Sequence, residues 1–430
     1  MKKISYLFAA MMLAAFGSGF STVTADTAQA QAAAPADATK QQTVRAEMGK
    51  PLNEIQELLN AKQYTQALEK INALDAMEKK TPYETFAIHR LRAVVASGIN
   101  DSAMMATSFE NMISTDFLKE PEKLRLIEAM AGTMFNEKKY AQARSWASRY
   151  LDKEPGNVGM NNLVARSYYL ENDYANTIKV LNAQLAEDDK AGRKPTQENL
   201  RLLGGAYQQL KDNNGYAMVL ERLLGTYPQK EYWGDLLYRV EHRPGFADRL
   251  RLDMYRLLLI TDNLDDGSQY VEMAELALLA GLPAEAKKTV DAGFAANVLG
   301  TGKEAAKHKQ LRDRVNKQAA DDIKTLDAGE ASAKSAKTGI GLLNIGYNYV
   351  INGQQEKGIA LMEQGLAKGG LKSVDEGKLH LGMAYLQAKN REKAKEIFKS
   401  IQSTDGAADM ARLWLLVPED GSKPAAAPAK

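Results

Sequence analysis

The sequence predicts an all-α chain built as a solenoid of stacked helix–turn–helix repeats. Three observations lead there. The body is rich in Ala, Leu, Glu, Lys, Gln and Met, the strong helix formers. Apolar residues recur at three- and four-residue spacing, as in Leu68, Ile71 and Leu74, and strict alternation of the strand type is hard to find. One frame of small and large residues returns along the chain. All 430 residues carry 56 Lys+Arg against 54 Asp+Glu and are 45% hydrophobic, which suits a folded chain and gives no support for a general nucleic-acid binder. Cysteine is absent, so disulfides, thiolate zinc sites and cysteine nucleophiles are excluded together.

The N-terminus reads as an address. Lys2 and Lys3 precede an apolar run from Ile4 to Phe16, which suits a secretory core segment and is short for the roughly 20 residues of a membrane span. Ala28-Gln29-Ala30 fits the small-x-small cleavage pattern, and Val23-Thr24-Ala25 is a second choice. The expectation is a signal peptide over 1–30, a periplasmic mature chain and no transmembrane segment after cleavage. Residues 31–47, Ala/Pro-rich at their start, read as a flexible leader, and 418–430 as a disordered tail.

The body repeats. Gly382, Tyr385, Ala394 and Phe398 form the clearest copy. Gly346, Tyr349, Gly358 and Met362 stand one copy earlier. Gly204 with Tyr207, Ala165 with Tyr168, and Ala131 with Met134 and Ala143 carry the same frame upstream. Fainter copies run through Ala274, Ala277, Ala286 and Val290, and begin at Ala67 and at Trp233. Small residues let two helices approach, and the large ones fill the gaps between neighbours.

Over roughly Leu52 to Ser403 this pattern resembles the tetratricopeptide repeat (TPR) family, whose unit is a helix–turn–helix of about 34 residues. The resemblance implies a right-handed superhelical α-solenoid that binds proteins or peptides and is not an enzyme. Thr177 and Tyr216 depart from the pattern, standing where the family usually has a small residue, and the copy near Leu91 and Val95 is weak. The reading divides the body into an N-terminal solenoid (48–300), an atypical helical unit and hinge (301–337) with a soft boundary near 330, and a C-terminal repeat pair with a terminal capping helix (338–417).

No catalytic constellation stands out. The four histidines, His89, His242, His308 and His380, contain no pair at four-residue spacing, so no metal or other cofactor is expected. Gly300-Thr301-Gly302-Lys303 lacks the remaining residues of a phosphate loop and reads as a turn before a helix. Met104, Met105, Met130, Met134, Met362 and Met383 fall at core-like helical positions.

Binding is expected on the helix A surface. The repeat built on Ala165 offers Asn162, Arg166 and Tyr169, and the next offers Arg201 and Gln208. Asn162 and Arg201 each stand three residues before their small residue. The cluster resembles the Asn and basic positions with which some family members clamp a peptide's terminal carboxylate. Asn344 and Tyr347 are candidates in a later repeat. The expected function is a scaffold for a protein or peptide of the bacterial cell envelope. The alternatives are an accessory factor for assembly or secretion of an outer-membrane polysaccharide or appendage, and a helical enzyme acting on envelope glycans.

Overall fold

The computed structural model describes residues 43–419, so the expected signal peptide, most of the leader and most of the tail lie outside the described residues. Every long element among them is an α-helix. The chain divides into two compact units, one ending at Ala191 and the other beginning at Gly192.

The first unit holds four hairpins. They are α1 (Ala46–Asn60) with α2 (Tyr64–Asp75), α3 (Pro82–Ile99) with α4 (Ser102–Ile113), α5 (Glu120–Asn136) with α6 (Tyr140–Leu151), and α7 (Val158–Leu170) with α8 (Tyr174–Lys190). α1 begins at Ala46, so the range read as a flexible leader ends in helix. Each helix packs chiefly on the one before and the one after it. The small positions Ala67, Ala131, Ala143 and Ala165 are fully buried, as close helix approach requires.

α3 explains why its copy of the pattern is weak. Its Ile88, Leu91, Val94 and Val95 belong to one core cluster. Its Phe86, Ala93 and Ala96 belong to the next. A helix sandwiched between two cores is apolar nearly all round and loses its amphipathic stripe.

The second unit continues with α9 (Gln197–Gln209), α10 (Asn213–Thr226), α11 (Lys230–Glu241), α12 (Arg251–Ile260), α13 (Gly267–Leu279) and α14 (Pro283–Ala295). Then come α15 (Ala305–Ser335), α16 (Ile340–Ile351), α17 (Gln355–Lys368), α18 (Val374–Gln387), α19 (Arg391–Lys399) and α20 (Ala407–Trp414). α15 fills nearly all of the stretch read as an atypical unit and hinge, as one helix of 31 residues. Its buried residues, Leu311, Val315, Ala319, Leu326 and Ala333, make a single narrow stripe. The Gly300–Lys303 segment is a turn before it, with Gly300 and Gly302 at positive φ. α16 and α17 touch backbone to backbone, since a Cβ on Gly346 would lie 2.6 Å from the Gly358 carbonyl oxygen. The two glycines stand at corresponding small-residue positions of the repeat.

Hairpin turns repeat as faithfully as the core. Lys62, Asn100, Lys138, Asn172, Lys211, Gly281, Gly353 and Lys389 all adopt left-handed φ between paired helices. In each case the next residue's N–H donates to the carbonyl five residues back, as Gln63 does to Leu58, Asp173 to Tyr168 and Asn390 to Tyr385. This is the 6→1 bond of a Schellman helix end, which satisfies a carbonyl the finished helix leaves open. Asp101, Asp173, Asp212 and Asn390 then cap the second helix by accepting its N–H.

The second unit also folds back on itself. Ala247 N–H donates to the Asp405 carbonyl at 2.8 Å, and Gly406 lies against Phe246 and Leu250. Lys288 Nζ donates to the Ile351 carbonyl, and Asn348 Nδ2 to that of Gly281, joining residues 63 and 67 positions apart in the chain. α20 packs against α18 and α19 and also reaches back to α12.

Candidate functional site

The predicted residues distribute as follows. Asn162, Arg166 and Tyr169 lie on α7 of the first unit. Arg166 is exposed and stands over the Phe135 ring, 5.4 Å from its centroid, and Tyr169 meets Tyr174 edge to face. Asn162 is half-buried. Arg201 and Gln208 are exposed on α9 of the second unit, where Arg201 Nε donates to the Tyr232 hydroxyl at 2.9 Å. Asn344 is exposed on α16, while the Tyr347 ring beside it is buried.

Tyr347 belongs to a charged cluster that sequence reasoning missed. Arg256 on α12 is 5% exposed and donates to both Glu285 carboxylate oxygens at 2.7 Å and to Asp253 at 2.5 Å. Its guanidinium also sits over the Tyr347 ring. His380 on α18 places Nε2 3.0 Å from Asp253 Oδ1 and stacks on Tyr347. Burial alone would push the Asp253 carboxyl up, but the charges and hydrogen bonds of His380 and Arg256 hold it at about 2. A cavity of about 330 Å³ opens beside the cluster, lined among others by Leu252, Leu276, Leu343 and Asn344. Its charged members already bond one another, so the cluster ties four helices together (α12, α14, α16 and α18).

A larger concavity lies elsewhere in the second unit. A groove of about 920 Å³ runs between α10, the end of α11 and α20. Met218 and Tyr238 stand in it, 62% and 61% exposed, with Ala217 and Pro244 beside them. Tyr238 stacks on His242 one turn later, ring centroids 4.0 Å apart. Lys211, Arg239, Arg243 and Arg412 supply positive charge. Arg412 Nε contacts both Glu221 carboxylate oxygens at 2.9 Å, and Arg243 pairs with Asp409 at 2.6 Å. Burial raises the Glu221 carboxyl despite the Arg412 charge, which marks this wall as partly dry. The groove's volume is at the large end of the about 300–1,000 Å³ usual for binding pockets, and an exposed aromatic beside an adaptable Met is the composition of an interface anchor. Periodicity could not have found it, because Met218 and Tyr238 face away from the core their repeats build.

No group of His, Asp or Glu among the described residues is arranged to hold a metal ion. No described helix is long and apolar enough to cross a membrane.

No family model matches the chain, and no curated protein does. Among solved structures, it is similar to the C-terminal part of a TPR repeat-containing protein from Cytophaga hutchinsonii, at 16% identity over 76% of this chain and 98% of that one, with a TM-score of 0.27. It is also similar to a Rap protein solved in complex with competence and sporulation factor, at 12% identity over 86% and 97% of the two chains, with a TM-score of 0.24. At such scores the two folds superpose only in part, and the helical-repeat assignment rests on this chain's own hairpins and turns.

Proposed function

We propose that the chain is a non-enzymatic scaffold, exported to the bacterial cell envelope, that binds a protein or peptide partner in the groove between α10, α11 and α20. The observation that carries this is the pair of large apolar side chains, Met218 and Tyr238, left open to solvent in a concave, charge-rimmed surface. A solitary exposed Leu needs no explanation, but two large apolar residues open in one groove do. Lys2, Lys3, the apolar run to Phe16 and Ala28-Gln29-Ala30 support export. Binding strength would come from a few buried anchors more than from total area.

The test is a photoreactive phenylalanine analogue placed at Met218 in the full chain in living bacteria. The expected result is a discrete light-dependent adduct in the envelope fraction, carried by a chain shortened at its N-terminus. A full-length chain confined to the cytoplasm, or an envelope chain with no adduct at this position, would overturn the reading.

A further inference from the structure

We infer that the occupant of this groove is a protein segment that sets a large apolar side chain beside acidic ones. The inference rests on the groove being the binding site and narrows what it takes.

The floor decides the apolar half. Met218 is unbranched and polarisable, so it can shape itself around an incoming side chain. Tyr238 and His242 stack into a two-ring platform at the end of α11. A Leu, Met or Phe laid on these groups would remove apolar surface from water on both partners.

The rim decides the charge. Each carboxylate lining the groove already accepts a bond within the protein. Asp212 takes the Gly215 N–H, Glu221 takes Arg412, and Asp409 takes both Arg243 and Arg412. The Lys211 ammonium, at the α9–α10 turn, has no hydrogen-bond or ion-pair partner among the described residues, its backbone N–H alone being bonded to the Gln208 carbonyl. His242 donates its Nδ1–H to the Tyr238 carbonyl, so Nε2 of the neutral ring is an acceptor and adds no donor to the rim. The balance the groove offers is therefore cationic: Lys211, Arg239, Arg243 and Arg412 line it against Asp212, Glu221 and Asp409, and Arg243 Nε is buried there with no hydrogen-bond partner among the described residues. An acidic segment would meet that offer, whereas a basic one would find only Asp212, next to Lys211, or would have to displace Arg243 or Arg412 from partly buried partners. Acidic residues flanking the anchor would also speed encounter at low salt.

The probe is an array of immobilised dodecapeptides in four compositions: acidic with Leu, Met or Phe, basic with the same residues, acidic alone, and apolar alone. The full chain, processed in the cell, is applied at low and at 0.5 M salt, the latter chosen to shorten the screening length to about 4 Å. The acidic-apolar class should bind about tenfold better than the others, and salt should erase most of that margin. Met218→Glu should abolish binding to every class. Lys211→Glu, which leaves the Tyr238–His242 platform in place, should weaken only the acidic classes, again about tenfold. Both variants change exposed side chains, and unaltered thermal melting shows that they fold. Preference for basic peptides, equal binding of acidic peptides without an apolar residue, or indifference to the Lys211 reversal would each overturn the inference. Should Met218 still crosslink a partner in cells while the array shows any of these, the scaffold reading survives and this narrower one falls. If crosslinking fails as well, both fall.

Discussion

The two units use the same hairpin and hold it differently. In the first, side-chain ties join neighbouring repeats: Arg45 to Glu84, Ser102 to Glu137, Glu110 to Arg149, each within 39 residues. In the second, ties run from Asp253 to His380, from Arg249 to Glu376 and Asp405, from Arg243 to the Thr404 carbonyl, and from Glu221 to Arg412, spanning 127 to 191 residues. A chain whose contacts are nearest-neighbour loses stability piecemeal, because each repeat answers only to the next. A chain whose end is bonded back to its beginning gains and loses structure together. The lesson is that one local grammar can build either kind of body, and that the difference lies in a few charged side chains.

The largest test of this contrast is Arg256→Ala. The substitution leaves Asp253 and Glu285 buried without their cation, which costs about 3–5 kcal/mol. Hydrogen exchange followed by mass spectrometry should show protection falling from α9 to α20 as a block while α1 to α8 keep theirs. A loss confined to α12 and α14 would mean that the second unit, too, is a piecewise stack.

What could be read from the sequence follows the same division. The small-residue frame finds hairpins because it repeats, and Ala67, Ala131, Ala165, Gly204, Gly346, Gly382 and Ala394 are all buried where it places them. Thr177 and Tyr216 broke the frame without breaking the fold. The Thr177 hydroxyl donates to the Asp173 carbonyl in its own helix, so it is buried with its bond made. The Tyr216 ring stays against Gly204 and donates its hydroxyl to Asp235 at 2.7 Å, while Gly215 beside it takes the close contact with the Tyr207 ring. The repeated turn was legible too, in Lys, Asn or Gly followed by a capping residue, but that signal is spread over residue types a core-based search ignores. The Asp253–Arg256–Glu285–His380 cluster carries no period, and nothing in four separated residues announces that they meet. The groove escaped for the converse reason, as its apolar residues lie off the periodic face. The polar stretch from 305 to 335, within the range read as an atypical helical unit and hinge, is rich in Ala and Lys, which are good helix formers, and one stripe of five residues suffices to dock it.

A middle-sized test uses acid. Asp253 is held at about 2, well below its unfolded value near 4. A depressed folded pKa gives stability that is complete above the unfolded pKa and is lost as pH falls through the folded one. The second unit should therefore weaken between about pH 4 and pH 2, by about 2 kcal/mol from this residue. Urea titrations followed by tryptophan fluorescence at pH 5 and pH 2.5 measure the loss, Trp233 and Trp414 reporting on the second unit and Trp146 on the first. Asp253→Asn should remove this residue's share of the acid dependence from the second unit, where Glu330 is also held at about 2 by Lys334 and Lys357, and leave that of the first, where Glu84 is held low by Thr81 and Arg45 against the burial that raises it. If both units respond equally to the substitution, they are not thermodynamically separate.

The smallest test asks whether the hairpins themselves differ. Thr81 and Asp266 each form a capping box, one in each unit, with Glu84 and Gln269 as the returning side chains. Replacing either by Ala should cost about 1 kcal/mol, since the same orphaned helix N–H groups lose their acceptor. The two losses should add when combined, because the boxes share no partner. What should differ is where the loss is seen. Thr81→Ala should loosen α3 and its immediate neighbours in hydrogen exchange. Asp266→Ala, of equal energy, should lower protection evenly across the second unit, because the bonds from Asp253 to His380 and from Arg249 to Asp405 leave no repeat there free to open alone. A local footprint for both would make the long-range ties ornaments on an ordinary stack. A local footprint for one and a global footprint for the other would show that closure, more than hairpin quality, sets how this chain yields.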